Sequence, residues 1–343
     1  MIEPKITVIL PAYNAQDYIK EAIDSILNQT FRNFVLLIID DASQDKTEAI
    51  IKSYTDKRIA YLKNEINIGI AATLNRGIQN AKTEYIARMD ADDIAVPERL
   101  QLQFEFMNAN RDIAVCGTWY ETFGSEIELI KMPILDKDIK ASLLFGLGFC
   151  HPTVFLRTEF LIQNQVLYGT SFSDNFGHKI LELEDLDLWH RLKKIAKFAN
   201  IDKMLLRYRK HQENFSTQKL DIIKERKREF YKRILEELNI LTDDDVLDIH
   251  ISFRALSSVK SVETIRTYRV FLDQILTNNK SLHVYDQYAL TQKVNQIWER
   301  LFYFLPPLGG AFVSVYSSLS DGLNTKQKMY LLKFKFNKFV GRK

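Results

Sequence analysis

The chain has 343 residues, of which 46% are hydrophobic, 27% charged and 12% aromatic. This composition is that of a folded protein and excludes disordered, fibrous and low-complexity classes, while the length allows one enzyme-sized domain with an appendage. The formal net charge of +3 belongs to the C-terminal end, where seven Lys or Arg and no acidic residue follow Asp321, and this distribution argues against a nucleic-acid partner.

Three features predict where the protein works. The N-terminal run MIEPKITVILPAYN has charges and a proline around a short apolar segment, which is not the pattern of a signal peptide. Cys116 and Cys150 lack the spacing of metal ligands and predict two buried, inert thiols in a reducing compartment. Residues 301–319 carry no charge, but prolines and glycines interrupt them, which indicates a buried or interfacial segment. We expect a cytoplasmic protein, with peripheral binding to the inner face of the membrane as an open alternative.

The first half of the chain alternates short β-branched runs with helical patterns. Strands are predicted at residues 5–10, 34–39, 59–62, 84–88, 113–117, 153–157 and 204–208. Helices are predicted after a cap at Asn14 and at residues 47–54, 70–80, 97–110 and 186–196. This alternation predicts an α/β fold with a mostly parallel sheet flanked by helices.

The pattern changes to long helices from about residue 220. We therefore predict a catalytic domain at residues 1–215 and a mainly helical C-terminal region at residues 216–343 that ends in a basic, aromatic tail. The tail interleaves lysines with aromatic and aliphatic residues between positions 326 and 339. It fits an anionic membrane surface, or a helix that packs its aromatics on the protein and leaves its lysines in water.

Two predicted strands end in acidic residues. Asp40 and Asp41 follow one, and Asp90, Asp92 and Asp93 follow another. Ligands of open α/β sheets bind at the carboxyl ends of strands, so the two acidic groups are candidates for one site. Asp40 can equally be a turn residue, whereas three crowded carboxylates repel one another unless a cation balances them.

A hard divalent ion such as Mn²⁺ or Mg²⁺ suits these oxygen ligands and would also bind a diphosphate. The sequence contains neither of the two glycine-rich phosphate loops, which favours a metal as the means of binding phosphates. A second acidic group, E-L-E-D-L-D-L-W, precedes an apolar helix. Glu182 and Asp187 fit the first turn of a helix, and either Glu184 or Asp185 could act as a general base.

The order of several motifs resembles the family 2 glycosyltransferases of the GT-A fold. The matching runs are T-V-I-L-P-A-Y-N, I-I-D-D-A-S-Q-D-K-T, N-I-G-I-A-A-T-L-N-R-G, Y-I-A-R-M-D-A-D-D-I-A-V-P-E-R-L, H-P-T-V-F-L-R, E-D-L-D-L-W-H-R-L and L-L-R-Y-R-K-H. Together they cover residues 5–215 in the order of the family, and the tail lies outside them.

The resemblance implies a role for each matching residue. It assigns Pro11, Ala12 and Tyr13 to the nucleotide base and Asp41 to its imide hydrogen. It makes Asp90 and Asp92 the D-x-D pair, with Asp90 toward the ribose and Asp92 on the metal. It assigns the general base to Asp185 and a further metal ligand to His211.

The implied activity is metal-dependent, inverting transfer of a sugar from a nucleotide diphosphate, with uridine as the expected base, to the hydroxyl of a carbohydrate or lipid-linked acceptor. Synthesis of bacterial cell-surface polysaccharide or lipopolysaccharide is the expected setting. Two alternatives are a nucleotidyltransferase, which would release pyrophosphate, and a non-catalytic module that binds sugar nucleotides. Metal-dependent hydrolysis of a nucleotide sugar would separate an enzyme from the binding module.

Overall fold

The computed structural model describes residues 3–146, 148–169, 183–210, 220–253, 259 and 261–339. They form two compact units. The first is drawn from Met1–Leu143 and Leu147–Arg226, and the second from Leu144–Gly146 and Lys227–Lys343. The boundary predicted at residue 215 falls in the segment 211–219, outside the described residues.

The first unit is built on a mixed sheet that has nine strands among the described residues. They are β1 (Ile6–Ala12), β2 (Phe34–Asp40), β3 (Ile59–Lys63), β4 (Tyr85–Arg88), β5 (Ile94–Ala95), β6 (Ile113–Gly124), β7 (Glu128–Ile130), β8 (Phe155–Arg157) and β9 (Lys197–Lys210). The order is β3-β2-β1-β4-β8-β6-β9-β5, with β7 paired to β6. The first four neighbours are parallel, whereas β8 runs antiparallel to both β4 and β6.

Helices cover both faces of this sheet. They are α1 (Ile19–Leu27), α2 (Thr47–Lys52), α3 (Ile70–Asn80), α4 (Arg99–Ala109), α5 (Asp136–Leu143), α6 (Thr158–Gln163) and α7 (Glu184–Leu192). Alternate side chains of a strand point to opposite faces, so Val8 packs in a core with α1 and α4 while Ile9 packs in a second core with α3, α5 and α7. Continuous apolar strands are expected where both faces are buried in this way.

Two strands extend well beyond the sequence prediction. The strand predicted at residues 113–117 continues to Gly124, and the one predicted at 204–208 occupies Lys197–Lys210. These two strands pair in parallel with irregular register near Thr118 and Trp119. In β6 the added residues 118–124 are mostly half-buried, which explains the polar residues there. In β9 the added residues 198–201 are buried, but the exposed Asp202 and Lys203 separate them from the predicted apolar run.

The predicted cap at Asn14 is wrong. The first helix begins at Ile19, and Asn14 lies in the left-handed region at φ 48°. Its Oδ1 accepts a hydrogen bond from the backbone N–H of Gln44 at 2.8 Å, and its own N–H donates to Ser43 Oγ at 3.0 Å. Asn14 therefore joins the loop after β1 to the loop after β2, a long-range role that a local capping pattern does not reveal.

The second unit is helical, as predicted. Its helices are α8 (Leu220–Glu236, whose first residues belong to the first unit), α9 (Asp244–Ser252), α10 (Val262–Leu282), α11 (Gln287–Phe302), α12 (Gly310–Ser318) and α13 (Thr325–Phe339). The side chains of Asp243, Ser261 and Asp286 cap α9, α10 and α11 by accepting backbone N–H groups. None of the described helices has the length and apolar character needed to cross a bilayer.

Candidate active site

The site lies where three parallel strands end. Strand β1 runs between β2 and β4, with Ala12 opposite Asp40 and Ile9 opposite Arg88. The segments that follow β2 and β4 are therefore separated by two strand spacings, roughly 10 Å. The strand order reverses at β1, and such a reversal opens a crevice outside the carboxyl ends of the strands.

Three carboxylates form the centre of this site, and we call Asp90, Asp92 and Asp93 the carboxylate cluster. One oxygen from each lies within 4.8 Å of the others. The cluster is fixed by the end of β9, because the N–H of Arg209 donates to Asp93 Oδ1 at 2.9 Å and Arg209 Nε donates to the carbonyl of Asp92 at 2.8 Å. The site is thus completed by a contact between residues that lie 116 positions apart in the sequence.

Two buried guanidinium groups oppose part of this negative charge. Arg88, at the end of β4, forms a bidentate ion pair with Asp90 in which both N–O distances are 2.5 Å. Arg99, fully buried at the start of α4, donates to the backbone carbonyl of Arg88 at 2.7 Å. The arrangement fixes both the position of Asp90 and the backbone that carries it.

Burial and mutual repulsion of the carboxylates in the cluster favour either their protonation or the binding of a cation. Burial raises the pKa of Asp90, and the charges of Asp92 and Asp185 raise it further, while Arg88 opposes the shift. Burial and the neighbouring Asp90 and Asp92 also raise the pKa of Asp93 well above its usual value. Asp93 Oδ2 is buried and accepts no hydrogen bond within the described part of the chain.

Helix α7 brings a second acidic pair to the cluster. Its first residues are Glu184 and Asp185, and Asp185 lies close enough to Asp90 to affect the pKa of that residue. Glu184 is largely buried, with its Oε1 3.7 Å from Nδ1 of His151. Burial and the charge of Asp185 raise the pKa of Glu184 to about 8, which keeps this carboxyl protonated at neutral pH.

The other residues predicted for the donor lie at the ends of β1 and β2. Pro11 and Ala12 are buried in β1, whereas Tyr13 is 49% exposed. The buried carboxylate of Asp41 accepts hydrogen bonds from Asn64 Nδ2 and from the backbone N–H groups of the turn before α3. Those three bonds fix the turn and leave lone-pair capacity for a further donor.

Two acidic residues have the structural roles that the sequence allowed for. Asp40 accepts hydrogen bonds from the N–H of Ser43 and the hydroxyl of Tyr61, and so supports the turn after β2. Asp187 is buried in α7 and accepts a hydrogen bond from Arg191 Nε at 2.8 Å. His211 and Glu182 lie outside the described residues.

Sequence reasoning overlooked Arg88, His151 and Tyr168 as parts of the site. His151 Nε2 is 3.0 Å from the hydroxyl of Tyr168, and burial lowers the pKa of His151 well below its usual value. Arg88 could have been predicted, because an arginine two positions before the first of three acidic residues can neutralise part of their charge. His151 opens the matching run H-P-T-V-F-L-R, whereas Tyr168 had no sequence signal, since it reaches the site only through tertiary packing.

A divalent cation fits this set of side chains. Four carboxylates (Asp90, Asp92, Asp93 and Asp185) outnumber the guanidinium groups of Arg88, Arg99 and Arg209, so negative charge remains when the carboxylates are ionised. The unsatisfied Asp93 oxygen and the short distances in the cluster are consistent with oxygen ligation of a hard ion.

Comparison with known proteins places the chain in a family. The model of the family described as glycosyl transferase family 2 matches residues 7–164. An uncharacterized glycosyltransferase of Methanocaldococcus jannaschii is 34% identical over 218 residues, which cover 61% of this chain and 72% of that protein. The chain belongs to glycosyltransferase family 2. The predicted family is thereby confirmed.

Solved structures confirm the GT-A fold of this family 2 chain. The structure of S. aureus TarS in complex with UDP-GlcNAc has a TM-score of 0.54 at 17% identity and covers 98% of this chain and 92% of that one. Mannosyltransferase PcManGT from Pyrobaculum calidifontis, in complex with GDP-Man and Mn²⁺, has a TM-score of 0.50 at 14% identity, with coverage of 100% and 89%. At these identities the likeness concerns the fold alone.

Substitution of Arg88 tests whether it positions the carboxylate cluster. Lysine keeps the charge but cannot make two parallel hydrogen bonds to Asp90. We expect Arg88→Lys to lower kcat/KM for glycosyl transfer by about 10- to 100-fold, the usual effect of removing a hydrogen-bond partner that orients a site carboxylate. Release of nucleoside diphosphate measures the rate.

The matched control is Arg157→Lys in the neighbouring strand β8. The Arg157 guanidinium donates to backbone carbonyls that include that of Met107, so this change should lower stability without affecting the rate per folded molecule. Full activity of Arg88→Lys would show that Asp90 needs no such support.

The raised pKa of Glu184 predicts a pH-dependent stability. In the folded protein the Glu184 carboxyl keeps its proton up to about pH 8, whereas in the unfolded chain it releases that proton near its ordinary pKa of 4.5. Between these two pH values, ionisable Glu184 therefore lowers the free energy of unfolding progressively as the pH rises. Glu184→Gln removes the effect. The free energy of unfolding of the Glu184→Gln variant, relative to that of the wild type, should increase between pH 5 and pH 8 by on the order of 2 to 4 kcal/mol.

Urea denaturation at both pH values measures this difference. Glu159→Gln, an exposed change on α6, serves as the control and should give nearly the same difference at both pH values. A Glu184→Gln difference that does not change with pH would mean that this carboxyl ionises normally in the folded protein.

Proposed function

We propose that this chain transfers a sugar, with inversion, from a nucleotide diphosphate to an acceptor hydroxyl, and that residues 1–215 carry the activity. The observation that supports this most directly is the carboxylate cluster, which lies at the strand reversal with the charge of Asp185 beside it. The acceptor would be a carbohydrate or lipid-linked hydroxyl in the synthesis of cell-surface polysaccharide or lipopolysaccharide.

The donor is proposed to lie across the end of β1. Pro11, Ala12 and Tyr13 would contact the base, and the remaining lone pair of Asp41 would accept its imide hydrogen. Asp90 would face the ribose, held in position by its ion pair with Arg88. Uridine is the proposed base, supported by the fold of TarS with UDP-GlcNAc, although PcManGT of similar fold holds GDP-Man.

Asp92 would hold Mn²⁺ or Mg²⁺, with Asp90 and Asp93 beside it and His211 as a further proposed ligand. When bound, such an ion stabilises the negative charge that a departing nucleoside diphosphate acquires. The side chains contribute a fixed set of oxygens, because Arg88 and the backbone of Arg209 restrain Asp90 and Asp93 before any ligand arrives.

The proposed chemical step is a single displacement. Asp185 takes the proton of the acceptor hydroxyl as its oxygen bonds to the anomeric carbon. The bond from that carbon to the diphosphate oxygen breaks on the opposite face, and its electron pair leaves with the nucleoside diphosphate. Glu184 is the weaker candidate for the base, because it is buried against His151 and holds its own proton at neutral pH.

Replacement of Asp185 tests this assignment. Asp185→Asn keeps the size of the side chain but removes the proton acceptor, so kcat should fall by about 10²- to 10⁴-fold while the affinity for the donor changes little. Single-turnover rates and calorimetric titration of the donor give the two quantities. Glu184→Gln, measured in parallel, should have a much smaller effect on kcat.

Two results would contradict the assignment. Equal loss of turnover and donor binding in Asp185→Asn would indicate that Asp185 supports the site rather than the reaction. A large loss of turnover in Glu184→Gln, with Asp185→Asn active, would move the base to Glu184.

A thermal-shift screen of UDP- and GDP-sugars with Mn²⁺ or Mg²⁺ tests the donor. A ligand at 100 times its Kd should stabilise the fold by about 2.7 kcal/mol, and Asp92→Asn should remove the part that depends on metal. Asp112→Asn, an exposed change before β6, should retain it. A shift that EDTA leaves unchanged would argue against a metal-dependent site.

A further inference from the structure

The C-terminal helix α13, which we call the tail helix, has two apolar faces. One face packs on the second unit. Gln327 is buried and donates to the hydroxyl of Tyr316 at 3.0 Å, and the ring of Tyr330 lies 5.0 Å from that of Tyr303 in an edge contact. Leu331 and Phe334 complete this face, where they line a groove of about 820 Å³ beside α12.

The other face carries an outer stripe made of Met329, Leu332 and Phe336. These residues are 66%, 69% and 64% exposed. Their spacing of three and four residues aligns them along one side of a helix, opposite the packed residues. No described residue of the second unit covers the stripe, so three large apolar side chains face water in a row.

Lysines border the outer stripe on both sides. At about 100° per residue, Lys326 and Lys333 lie on one flank of the stripe, and Lys328 and Lys335 lie on the other. All four are exposed. No acidic residue follows Asp321 in the sequence, so the tail helix itself carries no negative charge that would neutralise its lysines.

We propose that the outer stripe of the tail helix binds the surface of an anionic lipid bilayer. Apolar side chains in a row enter the boundary between headgroups and acyl chains, and lysines on both flanks reach the headgroups with their charged ends. The chemistry favours lipid over a protein partner because both flanks carry the same charge, which suits a uniformly negative plane. This inference does not depend on the proposed reaction.

Co-sedimentation of the full chain with vesicles tests the proposal. Vesicles of phosphatidylcholine mixed with phosphatidylglycerol should bind the protein at least tenfold more tightly than pure phosphatidylcholine, and binding should weaken as salt rises. Replacing the stripe by Met329→Ser, Leu332→Ser and Phe336→Ser should weaken binding to anionic vesicles at least tenfold.

A matched triple variant controls for the loss of apolar surface. Leu241, Val270 and Tyr288 are also exposed residues of the second unit, at 93%, 67% and 66%, and lie outside the tail helix. Serine at these three positions should leave vesicle binding unchanged. Circular dichroism should show that both triple variants remain helical.

Phe336→Trp supplies a test that does not depend on the triple variant. If the stripe enters the bilayer, anionic vesicles shift the emission of this tryptophan to the blue, and brominated lipids quench it. An unquenched tryptophan would overturn the proposal, as would equal binding by the wild type and the stripe variant. A dimer in sedimentation that the stripe variant abolishes, without vesicle binding by the wild type, would instead identify a second copy of the chain as the occupant.

Discussion

The site depends on the ion pair between Arg88 and Asp90. A group of carboxylates at one edge of a sheet repels itself, and burial makes that repulsion stronger. The guanidinium at the end of β4 offsets part of this cost and holds Asp90 in a fixed orientation. The negative charge that remains is compatible with the divalent ion proposed for this site.

Local sequence patterns predicted most strands of the sheet, but not the long-range contacts that complete the site. Continuous apolar runs located β1, β2 and β4, since both faces of these strands are buried, and the acids after β2 and β4 followed from the chain order. The contact between Arg209 and Asp93 joins distant segments through a backbone N–H group, which has no signature in residue type. Asn14 shows the same limit, because a residue that fits a local cap instead bonds across two loops. The roles assigned to the site residues, including Asp185, stay predictions.

The tail shows why composition alone left two alternatives open. Membrane binding and packing on the protein both call for aromatic residues mixed with lysines, and only the rotation of the helix separates the residues that serve each purpose. Tyr330 packs inward with Phe334, whereas Met329 and its partners face outward. A helix with apolar residues on opposite sides lacks the single stripe that sequence periodicity detects.

The neighbouring acids Glu184 and Asp185 illustrate how one helix end can give adjacent carboxyl groups different properties. Glu184 lies against His151, where burial favours its neutral form, and His151 itself stays neutral for the same reason. A neutral Glu184 adds no charge to a region that is already negative, so Asp185 can remain near Asp90 with fewer charges around it. Ionising Glu184 would place a second buried charge beside Asp185, so the protonation of Glu184 determines the electrostatic environment of the proposed base.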